Sequence, residues 1–175
     1  MALSLGQRAP EFSLPGTDGK TYTLDGLRSA KVVVVIFSCN HCPYVQAYEG
    51  RMMAMQREYQ GRGVQVVAIN ANDAVKYPED AFPEMVKRAK ALGYNFPYLH
   101  DETQQVARAY GAQRTPHVFV LDGQRVLRYT GRIDDNWESP EAVTSHDLRD
   151  TLDALLEGRP VSCQTPAVGC TVKWK

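Results

Sequence analysis

The sequence predicts one α/β domain with a mixed central sheet and helices on both of its faces. Three observations carry that expectation. The longest apolar run, Val32 to Phe37, is mostly β-branched, which suits a strand covered on both sides and falls far short of the roughly 20 residues of a membrane span. Directly after it, Val45, Tyr48, Met52, Met55 and Tyr59 recur at steps of three and four, marking one face of a helix. Farther on, Asp122-Gly123-Gln124 joins two strand-like runs as a hairpin would, so both parallel and antiparallel pairing are expected.

The elements follow in order. Pro15-Gly16, Asp18-Gly19 and Asp25-Gly26 bracket short pieces around Phe12 to Leu14 and Lys20 to Leu24, which predicts an N-terminal β-hairpin extension. Lys31 to Phe37 is the central strand. Pro43 suits the first turn of the helix that follows, Gly61 and Gly63 stop it, and Val64 to Asn70 returns as a strand, completing a βαβ unit. Phe82, Met85, Val86, Ala89 and Leu92 give a second helix within Tyr77 to Gly93, and a short one spans Thr103 to Tyr110. His117 to Leu121 and Arg125 to Tyr129 form the antiparallel pair. A last helix, from about Ser145 to Glu157, uses Leu148, Leu152, Leu155 and Leu156 and ends at Gly158-Arg159-Pro160. The expected organisation is a domain over 1–158 and a C-terminal tail over 159–175.

A chain of 175 residues that is 43% hydrophobic fills one core and not two. Lys and Arg total 20, as do Asp and Glu, with no block of five like charges, so neither nucleic acid nor an acidic membrane is an expected partner. The N-terminal segment lacks the basic start and apolar stretch of a secretory signal, which predicts a cytoplasmic location. In a reducing compartment four cysteines read as catalytic, redox-active or metal-binding, not as a structural disulfide framework.

Cys39-Asn40-His41-Cys42 lies at the junction of strand and helix. Thiol–disulfide exchange needs a thiolate and a second thiol near enough to resolve the mixed disulfide. Unpaired N–H groups at a helix start stabilise the anion, and the spacing brings both sulfurs to one turn. Cys39 is expected to be the more exposed sulfur and the nucleophile, with Cys42 resolving. His41 favours a thiolate beside it, so His41→Ala is expected to raise the Cys39 pKa. Buried, inert cysteines are the bland alternative, and position at a helix start speaks against it. A zinc site built from all four cysteines is disfavoured, because Cys163 and Cys170 are separated by six residues, unlike common zinc-ribbon spacing. No metal and no organic cofactor are expected. Cys163 and Cys170 are a candidate second redox pair, weighed against a local disulfide or two idle thiols in a frayed tail.

Gly6-Gln7-Arg8-Ala9-Pro10-Glu11-Phe12-Ser13-Leu14 with Asp18-Gly19-Lys20, followed by the strand and Cys39-x-x-Cys42, resembles the redoxin superfamily, that of alkyl hydroperoxide reductase and thiol-specific antioxidant. Within it the chain is most similar to thioredoxin-like thiol–disulfide oxidoreductases, over residues 4 to 135. The resemblance implies a thioredoxin-like fold and a cis Thr115-Pro116 bond whose Thr115 backbone receives a partner polypeptide. Thr115 and Pro116 are thus expected substrate-binding residues, and His41, by its place between the cysteines, is a third. Two departures stand out. Thioredoxins proper carry a buried acid six positions before the first cysteine and a Trp just before it, where this chain has Val33 and Ser38. Glu49 is the one candidate replacement, and its place beside the apolar stripe predicts that it faces solvent.

The expected activity is two-electron exchange with protein or small-molecule disulfides and thiols, sustained by an electron-donating reductant. Peroxide reduction is the alternative enzyme. Peroxiredoxins place a Pro seven and a Thr or Ser three positions before the reacting cysteine; counted from Cys42 these are Val35 and Cys39, and from Cys39 they are Val32 and Ile36. Neither alignment fits. A non-enzymatic redox-sensitive binding module is the third reading, since fold alone never proves activity.

Overall fold

Seven consecutive buried residues, Val32–Ser38, form the central strand β3 of the computed structural model, which describes residues 2–175. Before it, β1 (Ser13–Pro15) and β2 (Thr21–Thr23) pair antiparallel, Leu14 opposite Tyr22, as the expected hairpin. After it come α1 (Pro43–Tyr59), β4 (Val64–Asn70), α2 (Phe82–Leu92), β5 (Tyr98–His100), α3 (Gln105–Tyr110), β6 (Arg114–Thr115), β7 (His117–Leu121), β8 (Leu127–Gly131), α4 (Asp147–Leu156), β9 (Cys163–Gln164) and β10 (Cys170–Thr171).

The main sheet has the order β5-β4-β3-β7-β8-β9. β3, β4 and β5 run parallel, β7 is antiparallel to both β3 and β8, and β9 joins β8 in parallel. Alternation along β3 divides the core. Val32, Val34 and Ile36 meet Tyr48, Met52, Met55 and Tyr59 of α1, Met85 of α2, and Leu148 and Leu152 of α4. Val33, Val35 and Phe37 face the other way, onto Ala107 and Tyr110 of α3, onto Leu14 of the hairpin and onto Phe12 just before it. The fold is the mixed α/β architecture that the sequence predicts.

Several boundaries shift for local reasons. α2 starts at Phe82 and not near Tyr77, because Ala81 is extended and Pro83, lacking an N–H, belongs in a first turn. β8 starts at Leu127 and not at Arg125: Arg125 takes a φ of 63°, and Asp122 Oδ1 accepts from the N–H groups of Gln124 and Val126, lengthening the turn. The tail is no loose end. It lays β9 on the sheet edge and β10 against β6, with Cys170 opposite Thr115.

Candidate functional site

β3, β4 and β5 end at one edge, where Ser38, Asn70 and His100 stand in register, and Phe37 is paired with His117 at the start of β7. The C-terminal ends of parallel strands are where α/β folds gather their ligands. Cys39 follows Ser38 directly, and Cys42 is the N-cap of α1, with Pro43 in its first turn. The two cysteines stand 4.5 Å apart as free thiols.

Thr115 spans the pair. Its hydroxyl lies 3.5 Å from Cys39 Sγ, and its carbonyl accepts from the Cys42 thiol at 3.3 Å. The Thr115-Pro116 bond is cis. Neither sulfur is exposed: Cys39 and Cys42 are both 0% accessible, so Cys39 is not the more exposed of the two. Both sit in a small cluster with Val45, Tyr44 and Cys170, the last brought there by β10.

The surroundings polarise the dithiol. When ionised, Cys42 gathers the Cys39 thiol first, then the Cys170 thiol and the N–H groups of Val45 and Cys170, which together hold its pKa below that of an ordinary thiol against the opposing effect of burial. The Cys39 thiol is pushed up, by its bond to the Cys42 sulfur first, then by burial and by the negative charge of Asp80. Of the pair, Cys42 is therefore the sulfur that ionises more readily. That direction differs from the preference expected from chain order, and the helix begins one residue after Cys42 and not after Cys39.

Asp80 is the feature that sequence reasoning missed. Fully buried, it accepts from Asn40 N–H at 2.7 Å and Asn70 Nδ2 at 3.2 Å on one oxygen, and from Asn72 Nδ2 at 3.0 Å on the other, which also meets His41 Nδ1 at 2.5 Å. Asn40 is held in turn by the Tyr98 hydroxyl at 2.8 Å, and His41 stacks on Tyr77. His41 and this carboxylate both lie within 4.8 Å of Cys39. The acid comes from a short 3₁₀ turn, Pro78–Asp80, that follows β4. Its one signal in the sequence is the polar Asn70-Ala71-Asn72-Asp73 at the end of a parallel strand.

Glu49 does not face solvent. It is 4% exposed and receives Arg88 Nε at 2.7 Å, Arg88 Nη2 at 2.5 Å and the Tyr94 hydroxyl, tying α1 to α2 away from the cysteines. Cys39, His41 and Asp80 present ligand atoms within 4.8 Å of one another and are the group that could hold a cation among the described residues. A cation there would have to part His41 from Asp80 and deprotonate Cys39. The candidate pair Cys163 and Cys170 is divided: Cys163 is exposed opposite Tyr129, while Cys170 is half-buried opposite Thr115.

Residues 5–130 match the AhpC/TSA family. Among curated relatives, the thiol-disulfide oxidoreductase ResA of Geobacillus thermodenitrificans is 28% identical over 69% of this chain and 65% of its own length, so the chain spans just under two thirds of that relative. The chloroplastic peroxiredoxin Q of Triticum aestivum is 25% identical over 84% of this chain and 66% of its own. Among solved structures, an "uncharacterized conserved protein" from Geobacillus kaustophilus is 44% identical with a TM-score of 0.93, covering 99% of this chain and 93% of that one. The protein SMc02350 from Sinorhizobium meliloti 1021 is 40% identical with a TM-score of 0.92, covering 100% and 97%. Both likenesses extend through the tail.

Proposed function

Because the chain belongs to the AhpC/TSA family, whose redoxin members are oxidoreductases, we propose that it is a thiol–disulfide oxidoreductase working through Cys39 and Cys42. The observation that carries this reading is the polarised dithiol, 4.5 Å apart at the start of α1 and bridged by Thr115.

Cys42, as thiolate, attacks one sulfur of a substrate disulfide; a Cys42–substrate bond forms, the substrate S–S bond breaks, and the leaving sulfur takes up a proton. Cys39 then gives up its proton and attacks Cys42 Sγ. The Cys39–Cys42 disulfide forms, the second substrate thiol leaves, and two electrons have passed to the substrate. An external thiol reductant restores the dithiol. Asp80 and His41 lie beside Cys39 and serve as its proton route. Thr115 and Pro116 position the partner. The substrates in this reading are protein or small-molecule disulfides. No described helix is long and apolar enough to cross a membrane, and the cytoplasmic setting expected from the sequence is part of the same proposal, checked by cell fractionation.

The test is trapping with an aromatic disulfide such as 5,5′-dithiobis(2-nitrobenzoate). In a Cys163→Ser, Cys170→Ser background, Cys39→Ser is expected to accumulate a stable Cys42 mixed disulfide, and Cys42→Ser to lose turnover. Trapping only at Cys39 would overturn the assignment of roles. Rapid consumption of hydrogen peroxide that outpaces disulfide reduction would favour the peroxidase reading, to which the likeness to peroxiredoxin Q lends support.

A further inference from the structure

The dithiol is closed over by the chain's own C-terminus. β10 runs antiparallel to β6, pairing Cys170 with Thr115 and Thr171 with Arg114, along the backbone edge that the resemblance reserves for a partner polypeptide. The seat is fitted. A Cβ on Gly169 would lie 2.1 Å from the Thr115 carbonyl oxygen, so only glycine lets the tail approach this closely. Beyond Cys170, Val172 is 4% exposed and donates to the Gln113 carbonyl. The Lys173 carbonyl accepts from Asp73 N–H at 2.8 Å and Gln104 Nε2 at 2.9 Å, and its N–H donates to Asn72 Oδ1 at 2.9 Å. This anchoring holds Cys170 against Cys39, Cys42 and Val45.

We propose that Cys170 is a third redox thiol, which takes over the disulfide from Cys39 by bonding to Cys42 and carries it to the surface. The step rests on the oxidoreductase reading above. Starting from the Cys39–Cys42 disulfide, Cys170 loses its proton and attacks Cys42 Sγ. The Cys42–Cys170 bond forms, the Cys39–Cys42 bond breaks, and Cys39 leaves and takes a proton. One disulfide and one thiol exist before and after, so no outside oxidant or reductant is consumed. Packing sets up the transfer, because Cys170 lies against both Cys39 and Cys42. Burial and the Cys42 sulfur push the Cys170 thiol up to about 11, and the positive charges of Lys173 and Arg114 offset part of this. The gain is access. Cys39 and Cys42 are both enclosed, whereas Cys170 is half-buried, so an external thiol such as glutathione can attack the disulfide there.

The experiment uses the full chain with Cys163→Ser, which leaves Cys170 as the sole cysteine of tryptic peptide 150–173, while Cys39 and Cys42 share peptide 32–51. The protein is oxidised with diamide, its free thiols are blocked at low pH, and its linked peptides are mapped by mass spectrometry. Expected are both the internal 32–51 disulfide and a cross-link of 32–51 to 150–173 through Cys42. Adding Cys170→Ser should slow reduction of the oxidised protein by glutathione about tenfold or more. The mapping is repeated on the unsubstituted chain, so that the result does not hang on a variant's folding. An internal Cys39–Cys42 disulfide with no Cys42–Cys170 cross-link in any sample would overturn this inference and leave the oxidoreductase reading intact. Failure of the unsubstituted protein to reduce any disulfide would overturn both.

Discussion

At Cys39 the decisive neighbour is a carboxylate that the local sequence does not announce. Val33 occupies the position where thioredoxins keep their acid, and Asp80, far along the chain, supplies a charge from beyond the end of β4. Two substitutions separate its effect from that of His41. Asp80→Asn removes the charge that disfavours a Cys39 thiolate, so the Cys39 pKa should fall, by about one unit or more. The same change leaves His41 and the donors of Asn40, Asn70 and Asn72 with a weaker acceptor, at a cost of about 1–3 kcal/mol in unfolding free energy. His41→Ala should act in the opposite sense on the thiol, raising it, because Asp80 loses the imidazole that faces it at 2.5 Å. Thiolate absorbance titrated in a Cys42→Ser, Cys163→Ser, Cys170→Ser background measures both; shifts of the same sign would show that Asp80 and His41 do not act on Cys39 through each other.

Among the elements, those with a long period were legible and those built by docking were not. The α1 stripe of Val45, Tyr48, Met52, Met55 and Tyr59 is buried as its spacing predicts, and β3 is buried throughout. β5 has three residues, too few to show any alternation, and its pairing with β4 depends on chain far from it. β9 and β10 have two residues each, and nothing local distinguishes Cys170-Thr171 from a loop. Of the site, the Cys39-x-x-Cys42 pair and Thr115-Pro116 were readable, whereas which sulfur caps α1, and the burial of Asp80 and Glu49, come from packing. Glycine is where the tail shows its dependence on close approach. Gly169→Ala must push β10 off Thr115, and Gly131→Ala meets Thr165 Oγ1 at 2.1 Å at a φ of 144°. Either change should cost about 1–3 kcal/mol, but only the first should uncover the dithiol. Alkylation of Cys42 by iodoacetamide is therefore expected to speed up about tenfold or more in Gly169→Ala, as protection is lost, and to change little in Gly131→Ala. Equal rates in Gly169→Ala and the unsubstituted chain would mean that β10 does not shield Cys42.

At the scale of the whole molecule, a buried histidine ties two central strands together. His117 opens β7 beside Pro116, yet its ring turns into the core: Nδ1 accepts from Gln113 N–H at 3.1 Å, which leaves Nε2 to carry the proton toward Thr130 Oγ1 at 3.2 Å, and the ring packs 4.5 Å from Phe119. Burial pushes its pKa down to about 4 from an ordinary 6.5. Between those values the unfolded chain binds a proton that the folded chain refuses, so stability from this site is complete above about pH 6.5 and is lost as the pH falls toward 4. The loss is about 3 kcal/mol at most. His100 and several carboxylates also shape the acid limb, so the site is isolated by difference. His117→Gln keeps a donor and an acceptor but cannot titrate. Denaturant unfolding of both proteins from pH 7 to pH 4 should show the advantage of the histidine chain shrinking steadily as acid is added, because only that chain gains a proton on unfolding at this position. A constant difference across the range would mean that His117 ionises as freely in the fold as out of it, and that the sheet centre is wetter than its packing implies.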